Sequence, residues 1–462
     1  MLLYQKFRNS SLDISPLGIT CGMETSKNVY TPAGARIIGW CDGDVHFCQV
    51  TGFGDYVFAV DPAATPGDCV HPVAKSLLDF IELMRQCRDV SLIAGSYQWS
   101  RTLFQKKVDA VSVGMKTRSI LRALENTYHP PVIRDVYGYI HDLQASFDYS
   151  ALPLHPDFFE WCPIRPGTPK WDVGFGTPFA DYCEADKAGK EMPLNRSFRW
   201  NGENWCVPAI YLCENGIVVD SYLEVSGEQI QAFMDKWSKK DNLSIEQQMM
   251  RTLDDPLSVD AKGELSVNGK PTPLRKSYTL YWNPETENGW QQRRVLEHYG
   301  LDMEKGYLLR RECFLRKGKN PPIRNMELRL AAAPAQVPGD RFIAPKAGES
   351  VKFTHPATGL THELTVIAQT REALDPNFLS NHPCCYTRLT FSVMPPISAE
   401  LFRVVDCDPG DPYEGTIPSS NKTPSAGHFA TSSLRYTPAE QITWRMIFKK
   451  TLRKDIHINL LP

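Results

Sequence analysis

Residues 56–87, YVFAVDPAATPGDCVHPVAKSLLDFIELMRQC, constrain the fold most. They join an apolar run, a Pro/Gly-rich crossover and an apolar helix. Ser76 precedes Leu77 and Asp79 stands three residues on, an approximate capping box whose carboxylate suits the positive end of a helix dipole. Leu77, Phe80, Ile81 and Met84 follow the i, i+3, i+4, i+7 spacing of one apolar stripe, which must be buried against another layer. That layer is an antiparallel meander. YVFAV (56–60) reads as a strand, and CVHPV (69–73) as a short strand whose proline suits an edge. Upstream, ARIIGW and DVHFCQV flank Asp42-Gly43, a strong hairpin signal. With Asp42-Gly43 as a two-residue turn, Trp40 faces Val45 and Ile38 faces Phe47. Those four side chains then share one sheet face, on which the Ser76–Cys87 helix rests. A second amphipathic helix is expected over Trp99–Leu124, interrupted near Gly114, with Phe104, Val108, Val111 and Met115 on its stripe. Tyr128-His-Pro-Pro131 ends it.

The strands, the crossover, VHPVAKSLLDFIELM and the earlier IIGW resemble the SUKH superfamily, which embraces fungal cell-wall-assembly regulators and bacterial toxin-immunity proteins. The resemblance covers roughly residues 15–125. It implies a non-enzymatic module presenting a sheet and loops to a protein partner, and it carries over no catalytic residue. The later two-thirds resemble only uncharacterised proteins of gut-type anaerobic bacteria.

Three successive segments are expected: a SUKH-like domain over 1–130, an aromatic-rich α/β region over 131–240 and a β-rich domain over 241–462. The fold class is α+β, with a sandwich-like C-terminal unit, because short strands recur there between turn signals such as Asn268-Gly269. The net charge of −2 gives no global attraction to nucleic acid or anionic lipid. No apolar stretch approaches the roughly 20 residues that span a bilayer. The opening MLLYQKFRNS is too short in apolar residues for a secretion signal. Thirteen scattered cysteines fit reduced thiols in a cytoplasm better than a disulfide framework.

Several places invite a chemical reading. With Thr358-Gly359 as a two-residue turn, His355 pairs directly with His362, close enough for two imidazoles to share a zinc ion, although zinc asks for a third ligand. Asp406, Asp408, Asp411 and Glu414 around Gly410 offer oxygen ligands, but miss the calcium-loop spacing and make good turn chemistry. His382-Pro-Cys384-Cys385 places an imidazole near thiols, yet a strand follows and a buried apolar cysteine is the simpler reading. The Gly-x-Gly stretches GFGDY and VGFGTP lack the context of a phosphate loop. Aromatics crowd 158–205, either as a core or as a stacking platform for sugars.

The leading expectation is a cytoplasmic, non-enzymatic protein-binding module of immunity or regulatory type, with a toxin as the candidate partner. It would occlude a partner surface through the acid-leaning crossover at Asp55, Asp61 and Asp68. Neither cofactor, nucleic acid nor membrane is expected. The alternatives are a metal-dependent hydrolase built on His355 and His362, and a glycan-binding protein.

Overall fold

A computed structural model describes all residues except 1, 22–27, 66, 168–170, 180–186, 239–242, 317–321, 375–382, 399, 409, 412–427, 452–453 and 462. The fold is α+β. The chain forms two compact units that interleave along the sequence. The first comprises Met1–Met192, Ile210–Glu214 and Tyr278–Arg311; the second comprises Pro193–Ala209, Asn215–Ser277 and Glu312–Pro462. Composition suggests three consecutive segments with breaks near 130 and 240. The observed division instead joins 131–192 to the N-terminal unit and adds 278–311, a piece of the segment read as β-rich.

In the first unit, β1 (Ala35–Trp40), β2 (His46–Val50), β3 (Val57–Val60) and β4 (Val70–Ala74) form an antiparallel meander in sequence order. Pro72 lies on β4, at the sheet edge as its missing N–H requires. Helix α1 (Leu2–Arg8) precedes the sheet and α2 (Leu77–Cys87) follows it. Ser76 Oγ accepts the Asp79 N–H at 3.1 Å, the expected cap. The Asp79 carboxylate does not return to Ser76 but accepts the Tyr139 hydroxyl at 2.8 Å. Leu77, Phe80, Ile81 and Met84 are all buried in one cluster with Ile38 and Phe47, and the Phe80 and Phe47 rings lie 4.7 Å apart. Burial of side chains this size is worth about 1.5–3 kcal/mol each, so this stripe anchors the helix.

One part of the expected floor is corrected. The hairpin loop has three residues, Asp42–Asp44, with Gly43 and Asp44 at positive φ, and β1 bulges between Ile37 and Gly39. Trp40 therefore pairs with His46, and the two rings meet tilted with their centres 4.4 Å apart. Adjacent strand residues point to opposite faces, so Trp40 lies across the sheet from Phe47. Ile38 and Phe47 stay within the α2 core, and Val45 packs against it. A side chain at Gly39 would come within 2.6 Å of Ile19, which explains a glycine at the bulge.

Helix α3 (Val90–Gly95) leads to two helices where one interrupted helix is expected: α4 (Arg101–Ala110), capped by Ser100, and α5 (Met115–Tyr128). Phe104 and Val108 are buried, but Met115 is 88% exposed, because the break at 111–114 resets the helical phase. Helix α6 (Val136–Ser146) is capped by Asp135.

The second unit is β-rich, and much of it is a sandwich. One sheet runs in the order Ala335–Ile343, Thr443–Lys450, Phe402–Asp406; the other runs Ser350–Thr354, Thr361–Ala373, Cys385–Met394, His428–Thr431. Phe353, Leu364 and Phe391 from the second sheet share one core with Phe402, Trp444 and Phe448 from the first. A further sheet contains the hairpin turned by Asn268 and Gly269, whose φ values of 52° and 75° fit a mirror-image turn. Trp200 and Trp205 are buried in this unit.

Candidate functional site

The crossover between β3 and β4 is built by its own main chain. The Asp61 carboxylate accepts the Ala63 N–H at 2.9 Å, Ala64 N–H donates to the Asp61 carbonyl, and Asp68 N–H donates to Thr65 O at 2.8 Å. Asp61 N–H closes the loop on Cys69 O at 2.9 Å. Gly67 has φ +93°, and a Cβ there would meet Arg294 at 3.3 Å and Ile164 at 3.4 Å.

Beneath this loop lies a packed polar column. Asp68 is 6% exposed and ion-paired with Arg293, itself 5% exposed, on the helix Trp290–Tyr299. Arg293 also pairs with Glu297, and its guanidinium sits 5.0 Å from the centre of the Tyr97 ring. Tyr97 stacks on His71 at 4.2 Å, and His71 Nδ1 shares a 3.1 Å hydrogen bond with the Tyr149 hydroxyl. Over the column opens a cleft of about 220 Å³ lined by Asp61, Asp68, Tyr97, Gln98, Trp290 and Arg293.

Burial decides the protonation of this column. It pushes the Tyr97 and Tyr149 phenols up and holds the His71 imidazole down to about 4; nearby Asp68 raises the latter and Arg293 lowers it. At neutral pH the column thus has neutral rings around the Asp68–Arg293 pair. It offers shape, hydrogen bonds and a braced loop.

The depressed imidazole has a consequence for stability. Between 6.5 and about 4 the unfolded chain binds a proton at His71 that the folded chain does not, so stability falls as pH drops through that window. Urea midpoints measured across it should decline on acidification, and His71→Gln should flatten the decline.

The three aspartates separate. Asp55 is exposed on the β2–β3 turn, and Asp61 is half-buried at the cleft. Asp68, expected as a partner contact, is corrected to a buried anchor. Sequence reasoning missed Arg293, Tyr97 and His71. A hint existed in WQQRRVLEHY, where Arg293 and Arg294 are buried with Val295 and Leu296, but the Asp68 partner of Arg293 lies 225 residues away.

For the two metal candidates the expected pairing is corrected, while their nearness stands, with the His355 and His362 ring centres 6.2 Å apart. The hairpin turn has four residues, closed by Gly359 N–H to His355 O at 2.8 Å and His355 N–H to Leu360 O at 2.9 Å. His362 therefore pairs with Phe353 and not with His355. His355 Nδ1 accepts the Ala357 N–H at 3.2 Å, and His362 Nδ1 lies 2.8 Å from Pro395 O. Both imidazoles are buried, and burial lowers the His355 pKa. Among the described residues no group of three His, Cys, Asp or Glu is placed to hold a metal.

The remaining features are structural. Asp406 is fully buried and accepts Asp408 N–H, Ser433 N–H and Arg435, each at 3.0 Å, while Asp411 accepts Tyr436 N–H. Glu414 lies outside the described residues, as does His382. Burial raises the Cys385 thiol, the opposite of activation. Phe158 and Phe179 are buried in the first unit, and Trp171 donates to the Tyr211 hydroxyl at 2.9 Å while stacking on His298 at 4.3 Å. Phe159 and Trp161 are exposed on a short helix. Most of these rings thus build cores, leaving little platform for a sugar.

No helix among the described residues is long and apolar enough to cross a membrane. No protein-family model matches the chain, and no curated protein does. A solved structure, the conserved domain protein from Bacillus anthracis, is similar at 12% identity over 58% of this chain and 77% of that one, with a TM-score of 0.15. A likeness at that score carries no argument.

Proposed function

We propose that the N-terminal unit is a non-enzymatic protein-binding module of SUKH type, acting as an immunity or regulatory protein that covers a functional surface of its partner. The observation that supports this most is the braced crossover. Its main chain is hydrogen-bonded to itself and tied from below by the Asp68–Arg293 pair, so Asp61 and the cleft are held before any partner arrives. A preorganised loop loses little entropy on docking, which raises affinity for a given contact area. A stable complex of this kind covers on the order of 800 Å² per partner, so the cleft would receive one anchoring side chain at the centre of a wider contact. A cationic anchor suits the Asp61 carboxylate. The described cysteines are free thiols, in keeping with a reducing cytoplasm.

The test uses tagged full-length protein against the products of neighbouring reading frames. Asp61→Lys should weaken a complex by about tenfold or more, equal to about 1.4 kcal/mol, while the melting temperature falls only by the small amount that its lost hydrogen bond from Ala63 N–H accounts for. Asp55→Lys should do less, since Asp55 does not line the cleft. Failure to recover any partner, or equal binding by the Asp61 variant, would overturn the reading.

A further inference from the structure

A second concavity of the N-terminal unit, about 860 Å³, runs along the end of α2, the side of α4 and the start of α6. Its lining carries four cations, Arg88, Arg101, Lys106 and Arg134, against two carboxylates, Asp109 and Asp135. The carboxylates are already engaged. Asp135 takes Arg101 at 2.6 Å and caps Gly138 N–H at 2.9 Å, while Asp109 accepts Gln105 at 2.9 Å. Lys106 pairs with Glu285. Arg88 and Arg134 make no ion pair among the described residues, leaving two guanidinium forks beside one groove.

Arg88 is also oddly placed for a structural residue. It ends α2 at φ +63°, where glycine is the usual low-cost choice. An arginine at such a position points to use of its side chain. A cation near a helix C-terminus is favoured by the dipole as well, so the two roles need separating by experiment. The lining is also partly apolar, with the half-buried Val136 and Tyr137, over which Arg101 sits at 4.9 Å, beside the buried Phe104 and Val108.

We propose that this groove binds a short acidic peptide segment of a protein partner. Arg88 and Arg134 fork two of its carboxylates, and an apolar side chain of the segment lies on Val136 and Tyr137. Asp109, whose partner among the described residues is the neutral Gln105, lines the same groove and repels a continuous phosphate chain, whereas a peptide can space its charges around it. The site differs in charge and lining from the crossover cleft, and the proposal does not rest on that reading.

The probe is a fluorescein-labelled twelve-residue peptide alternating glutamate and leucine, titrated against the full-length protein and compared with its lysine–leucine counterpart. The acidic peptide should bind and the basic one should not. Raising salt from 50 to 300 mM, and Arg134→Glu, should each weaken binding tenfold or more. Arg88→Gly should weaken it similarly with an unchanged or higher melting temperature, since glycine suits that φ. Asp61→Lys should leave it within twofold. The proposal is overturned if the acidic peptide fails to bind, if Arg134→Glu and Arg88→Gly bind as wild type, or if inorganic polyphosphate displaces the probe at lower concentration than unlabelled peptide. Should Arg88→Gly lower the melting temperature, Arg88 is a helix-end residue and Arg134→Glu alone decides.

Discussion

Asp68→Ala should destabilise the N-terminal unit by about 3–5 kcal/mol, the usual cost of breaking a buried ion pair from one side. Asp68 and Arg293 are both at least nine-tenths buried, and the lost carboxylate leaves a guanidinium under the crossover paired with Glu297. The damage is local first, because Asp68 N–H, Asp61 N–H and the Asp61 carboxylate hold the loop that the pair braces. Amide hydrogen exchange over 57–74 should therefore accelerate more than exchange in the second unit. A double replacement, Asp68→Leu with Arg293→Met, should recover much of the stability, since two well-packed apolar groups avoid the stranded charge. If Asp68→Ala exchanged like wild type, the column would not brace the loop. The same variant should lose partner binding together with much of the unit's stability, in contrast to Asp61→Lys, which should lose binding at the small stability cost of one loop hydrogen bond.

Phe80→Ala is the second large effect, expected at about 3–5 kcal/mol for a fully buried aromatic. Phe80 sits where α2 meets the meander, with its ring 4.7 Å from that of Phe47 and both side chains inaccessible to solvent. Truncation removes the transfer free energy of the ring and leaves a cavity that β2 and α2 cannot both collapse into. Phe80→Leu should cost distinctly less because most of the volume remains. Denaturant midpoints followed by exchange at residues 46–60 and 77–87 would separate this loss from events in the second unit. A small effect for Phe80→Ala would mean that the helix is held chiefly by its ends, through Ser76 and the contact of Asp79 with Tyr139.

These effects divide the molecule into what could be read from the chain and what could not. Helix α2 was legible because cap and stripe are local: Ser76 and Asp79 are three residues apart, and Leu77 to Met84 span two turns. The same holds for the β1–β4 meander, for Pro72 on an edge strand and for the Asn268-Gly269 turn. Register was less legible. One bulged residue at Ile38 carried Trp40 to the opposite face, and a four-residue turn at 356–359 moved His362 from His355 to Phe353. A one-residue slip reverses every later side chain in a strand, so a site inferred from cross-strand pairing depends on turn geometry that the turn residues only partly specify.

The sequence by itself determined the local elements and the α+β class, because caps, turns and apolar periods act over a few residues and need no distant partner. Tertiary structure alone decided the electrostatics of the crossover. Asp68 looks like a surface acid beside Asp61 until Arg293, from a helix more than two hundred residues later, removes it from water and makes it an anchor. Burial and charge pairing depend on what the rest of the chain places around a group, and such long-range neighbours leave no periodic trace in the residues that meet.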